Sequence, residues 1–200
     1  ARARSSLAEA RALYESRCAT GARSLANVLV NRALLELHAG APDEAAAALE
    51  EIERRRLGVP VPVELWRREV QARLALARGR PAAALQWYRS LASLADGAFA
   101  IDAELRALTG EARVRAGLGE REAAIVLLER AQRRFDAWLL RVPLAQGRAR
   151  AARAEDRSAG LLIELLLATG RSDRAVAVAR RARLRGLLDL AERARLAASP

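Results

Sequence analysis

Lysine and methionine are missing from the chain altogether, and histidine and cysteine occur once each, as His38 and Cys18. A zinc site built from several such ligands is therefore excluded, and no metal or cofactor site is expected. A Ser-His-Asp arrangement would have to use His38, and no Gly-x-Ser-x-Gly elbow accompanies it. One cysteine gives no disulfide framework, which fits a reducing cytoplasm. The apolar stretch 159–169 is too short for a bilayer, which takes roughly 20 residues, and it carries Glu164. No signal-peptide pattern opens the chain. The GLGERE stretch at 117–122 lacks the third glycine, the lysine and the preceding strand of a phosphate loop. Aromatic and β-branched residues are scarce, which argues against a β-sandwich or a mixed α/β enzyme. The missing initiator methionine suggests a processed chain or, preferably, a fragment.

What remains is narrow. Of 200 residues, 48 are Ala, 33 Leu and 35 Arg, so three strong helix formers make up 58% of the chain. The formal charge is +11, with 35 basic against 24 acidic residues, and every basic residue is Arg. The excess is uneven: it is +1 over 1–60, +3 over 61–140 and +7 over 141–200. A basic stripe can hold nucleic acid electrostatically, but neither aromatic interleaving nor a DNA-binding motif accompanies it. An acidic protein surface suits the last segment equally well.

The chain is a repeat. Four segments align on Gly-x4-Ala: Gly40 with Ala45, Gly79 with Ala84, Gly119 with Ala124, and Gly170 with Ala175. Apolar or small residues recur three and seven positions before the glycine and nine and twelve after it. Amphipathic runs lie on both sides, so each segment predicts a helical hairpin. The glycine closes the first helix in a left-handed conformation. Pro42 and Pro81 fall where a second helix opens. Asp43, Glu44, Glu120, Glu122 and Asp173 put negative charge near that helix's positive end. The alanine lets the two helices approach closely. Expected pairs run 22–39 with 43–56, 62–78 with 82–95, 98–117 with 121–142 ending at Pro143, and 145–169 with 172–196. A lone helix at 6–19 precedes them as a partial repeat or cap. The expected fold is all-α: a right-handed α-solenoid of about four hairpins in a single domain over 1–200. Its repeats are 22–57, 62–95, 98–142 and 145–196, after an N-terminal segment 1–21.

The segments LELHAGAPDEAAAAL, LALARGRPAAALQWY and LLLATGRSDRAVAVA resemble the tetratricopeptide repeat. The family's first-helix Trp, Leu and Tyr positions are mostly Ala, Arg and Glu here. The stretch LLIELLLATGRSDRAVAVARRARLRGLLDLAER resembles the final repeat and connecting helix before a CHAT domain, the caspase-like module associated with these repeats. Here Arg180, Arg181, Arg183 and Arg185 precede Leu187-Leu188-Asp189-Leu190. The resemblance implies a non-catalytic regulatory scaffold whose protease chemistry lies beyond Pro200. Neither His38 nor Cys18 matches the protease residues.

In such arrays the first helices line a concave groove. The resemblance places Asn27, Val30, Asn31, Leu34, Trp66, Glu69, Val70, Arg73, Arg106, Arg113 and Arg157 there. Asn27 with Asn31, and Glu69 with Arg73, are i,i+4 pairs. The arginines would suit an acidic peptide or a C-terminal carboxylate. The family's two-carboxylate clamp is not reproduced, and the same arginines also fit ordinary solvated helix faces. Trp66 is the candidate groove anchor, whereas Trp87-Tyr88 on a second helix suits packing between hairpins. His38, just before Gly40, suits a helix C-terminus, and Cys18 suits a packed thiol. Arg180, Arg181, Arg183 and Arg185 form a second candidate surface, docking the chain's own following domain. The expected function is a protein- or peptide-binding scaffold, without membrane contact, in the cytoplasm. The alternatives are a sensor module of a bacterial signalling ATPase or transcription regulator and, less favoured, nucleic-acid binding through the last hairpin.

Overall fold

The computed structural model describes residues 2–15, 21–139 and 148–197, with side chains described for 3–15, 23–139 and 158–185. Among the described residues the chain is all-α, with nine helices and no strand. They are α1 (Arg2–Glu15), α2 (Gly21–His38), α3 (Pro42–Arg54), α4 (Val61–Ala77), α5 (Pro81–Gly97), α6 (Ile101–Gly117), α7 (Arg121–Leu139), α8 (Arg148–Ala168) and α9 (Ser172–Ala197). The eight helices after α1 form the four hairpins that the glycine spacing predicts. The lone first helix begins earlier than expected, at Arg2. Cys18 and Pro143 lie outside the described residues.

Each hairpin turns in the same way. Gly40, Gly79, Gly119 and Gly170 have φ of +73°, +65°, +82° and +72°, a conformation that costs any residue with a Cβ. In the first turn the Gly40 amide donates to Leu37 O and the Ala41 amide to Glu36 O. The same two bonds recur at Gly79 and Arg80, at Gly119 and Glu120, and at Gly170 and Arg171. This is the Schellman arrangement, which satisfies carbonyls left over at a helix end. One residue serves both helices: the carbonyls of Ala41, Arg80, Glu120 and Arg171 accept from the amides of Ala45, Ala84, Ala124 and Ala175. Those four alanines are buried to 2% exposure or less, as the close approach of paired helices requires.

Two compact units divide the chain, Ala1–Ala98 and Phe99–Pro200, where the repeat alone reads as one domain. In the first unit, α2 packs on both α3 and α4 around Leu25, Leu29, Val30, Leu49, Ile52 and Val70. Helix α1 packs on α2 and is tied down by long-range ion pairs, Arg4 to Glu36 at 2.5 Å and Arg11 to Glu51 at 2.8 Å. In the second unit, α6 and α8 pack against each other and against α7, around Ala112, Ile125, Leu128, Leu162 and Leu166. A satellite of Leu105, Leu108, Ala131 and Phe135 completes it.

Candidate interaction surfaces

The first-helix residues expected to line a groove divide into three groups. Val30 and Val70 are core residues, because α2 and α4 meet along the seam that they occupy. Trp66 and Leu34 are partly buried against the same cluster, so the Trp66 ring is packed and the free groove anchor expected of it is corrected. Glu69 is buried as well, and it accepts from Arg73 Nη2 at 2.5 Å. These residues build the seam rather than line a groove.

The second group is engaged with its own helix, the two asparagines exposed and Arg106 largely buried. Asn31 donates from Nδ2 to Asn27 O at 3.0 Å and to Asn27 Oδ1 at 3.2 Å. Arg106 donates to Asp102 at 2.8 Å. Such i,i+4 contacts are worth a few tenths of a kcal/mol, roughly 0.2–0.5, so a better acceptor can displace them. Arg113, alone in the third group, is exposed and has no pair among the described residues. The Arg157 side chain lies outside the described residues.

The arginine-rich composition has a use that spacing did not reveal. Among the described residues five glutamates are buried, Glu36, Glu51, Glu69, Glu104 and Glu111, and each accepts from an arginine. Arg134 grips Glu104 in a two-point fork, Nε to Oε1 at 2.9 Å and Nη2 to Oε2 at 2.8 Å. Hydrogen bonds that Arg115 donates to Glu111 and then to Glu120 raise its guanidinium above its ordinary value. Burial pushes the Glu64 carboxyl up, but hydrogen bonds from Arg67 and Arg68 hold it below the ordinary value. The guanidinium in these pairs is a structural counter-ion, and its planar fork suits the task better than lysine.

On α9 the four docking candidates separate sharply. Arg180, Arg181 and Arg183 are exposed and have no partner among the described residues. Arg185 is not a docking residue. It donates to Gln132 at 2.8 Å and to Asp136 at 2.5 Å, and it lies 5.5 Å over the Phe135 ring, so it fastens α9 to α7. Residues Leu187-Leu188-Asp189-Leu190 lie within α9, with side chains outside those described. Beside the free arginines, Val176 is 46% and Leu184 56% exposed. The turn spacing explains this exposure. Val176, Ala179 and Arg183 stand where the third hairpin has Ile125, Leu128 and Gln132, all buried under α8. The same three positions in the last hairpin carry no such cover among the described residues.

No protein-family model and no curated protein matches the chain. A solved structure does. The crystal structure of BtubC (BKLC) from P. vanneervenii superposes with a TM-score of 0.54, covering 92% of this chain and 90% of that one. Sequence identity is 14%, so the likeness concerns the fold. Among the described residues, no helix is long and apolar enough to cross a membrane, and no three His, Cys, Asp or Glu residues are grouped to hold a metal ion. His38 is exposed at the end of α2.

Proposed function

We propose that this chain is a non-catalytic scaffold that binds a protein or peptide, with α9 as its principal recognition surface. The observation that carries the reading is the set Arg180, Arg181 and Arg183, exposed and without partners among the described residues, on a helix that also exposes Val176 and Leu184. On the same helix Arg174 and Arg185 are engaged by Glu129 and Asp136, whereas these three point to no carboxylate among the described residues. Exposed aliphatic carbons between guanidiniums favour a protein partner with apolar and acidic groups. A phosphate backbone offers no apolar counterpart. The tetratricopeptide-like turn spacing supports a regulatory module, and resemblance to the segment before a CHAT domain makes such a protease the candidate domain to be regulated. The cytoplasm suits a chain with one cysteine.

Selection from a random peptide library tests this. Acidic amphipathic sequences are expected, with enrichment lost in the Arg180→Glu, Arg181→Glu, Arg183→Glu triple variant. Equal enrichment by that variant contradicts the proposal. Duplex DNA binding that falls steeply with salt would move the function to nucleic acid.

A further inference from the structure

The first unit contains a cleft whose counterpart within the second unit is filled by that unit's own side chains. It lies among α3, α4 and α5, with a free volume of about 260 Å³. Its floor includes Ala46, Leu49, Leu74 and Ala75, its wall is Trp87, and Glu50 stands at its rim. Counting from the turn glycines identifies the equivalent residues in the second unit. Ala46 corresponds to Ile125, Ala75 to Leu166, Ala83 to Arg174, and Trp87 to Val178. Ile125 and Leu166 are buried in the core there, with Val178 packed against them. Thus two aliphatic side chains and one arginine are each truncated to alanine in the first unit, and the vacancy follows.

The residues left behind indicate what fits. Glu129 in the second unit takes the Arg174 guanidinium. Its counterpart Glu50 has no partner among the described residues, where Ala83 stands in place of the arginine. Gln71 also lines the cleft, and its buried Oε1 has no hydrogen-bond partner. A buried acceptor left unpaired is costly, so a donor is favoured there. Trp87 adds an aromatic face, which attracts planar cations. The mouth also carries Glu53, held by Arg67, Arg78, held by Asp43, and Arg80, exposed and without a partner among the described residues.

We propose that this cleft binds an arginine side chain presented by a partner protein, its stem on the alanine floor and its guanidinium between Glu50, Gln71 and Trp87. The guest supplies the group that Arg174 supplies internally in the second unit. This site is separate from α9, so its failure leaves the proposed scaffold function standing.

The test is an NMR titration of the whole chain with Nα-acetyl-arginine N-methylamide, read at the Trp87 indole and Gln71 side-chain amide. Saturable shifts in the millimolar range are expected. The isosteric, uncharged citrulline compound should bind at least about fivefold more weakly, by loss of a charge-assisted bond. Ala83→Arg places a competing guanidinium in the cleft from a half-buried position on its lining and should abolish the shifts while an unchanged spectrum elsewhere reports an intact fold. The proposal is overturned by absent shifts, by equal citrulline binding, or by binding that survives Ala83→Arg. Shifts seen only in Arg80→Ala would also overturn it, since the cleft would then already be filled by its own Arg80.

Discussion

The two units follow one pattern with different side chains at equivalent places. In the second, the space between α7, α8 and α9 is filled by Ile125, Leu162 and Leu166 and bridged by Arg171, Arg174 and Arg185. In the first, Ala46, Gln71 and Ala75 occupy the corresponding floor, and Arg78 to Asp43 is the turn-side bridge. Both units use an acid three residues past a turn glycine, Asp43 or Glu122, to reach an arginine flanking the next turn glycine. A repeat can therefore conserve its backbone turn while one copy is packed solid and another keeps a cleft. Close packing is optional at a given repeat position; the turn is not.

Equivalent substitutions break this comparison most strongly. Leu166→Ala removes a fully buried side chain and should cost about 2–5 kcal/mol in urea denaturation. The mirror change, Ala75→Leu, fills existing space and should shift stability by less than about 1 kcal/mol. Equal costs would mean that the cleft is not a vacancy of the same slot. Next in size, Arg134→Ala strands the Glu104 carboxylate, only 2% exposed, and should cost about 3 kcal/mol. Arg78→Ala releases the exposed Asp43 and should cost under about 1 kcal/mol.

Turn geometry gives a smaller, opposed pair. Gly40→Ala should lose about 1–2 kcal/mol, whereas Phe99→Gly, at φ +52° and 94% exposed, should gain part of that amount. Thermal melts of the two variants check the sign. The acid limb probes the first unit. With Glu64 held below its ordinary value when folded, its contribution is present above the unfolded value and is lost as pH falls through the folded one. Wild type should thus lose more stability than Glu64→Gln between about pH 5 and pH 3. Parallel pH profiles would remove that contribution.

Much of this fold is legible in the sequence, because its strongest signals are local. Gly-x4-Ala encodes the turn bond and the tight approach within six residues, and the i,i+4 pairs Glu69–Arg73 and Asp102–Arg106 lie within one helix turn. The candidate surfaces are less legible. Which face of α2 meets α4 depends on packing between hairpins, and that placed Val30, Val70 and Trp66 in a seam. Arg134 finds Glu104 thirty residues away and Arg185 finds Asp136 forty-nine away, beyond any helical period. Free and engaged arginines look alike until those partners are known. The cleft was hidden for another reason: alanine at 46, 75 and 83 reads as a good helix former, and only the aligned Ile125, Leu166 and Arg174 show that something is missing.

The most direct test of the shared slot is a double-mutant cycle of Ala83→Arg with Glu50→Gln, measured by equilibrium unfolding. If Ala83 stands where Arg174 stands, the new arginine should pair with Glu50 and stabilise the chain by about 0.5–1 kcal/mol, with the gain lost when Glu50 is neutralised. A gain of the same size in the Glu50→Gln background, or none in either, would contradict the common register from which the cleft and its guest are inferred.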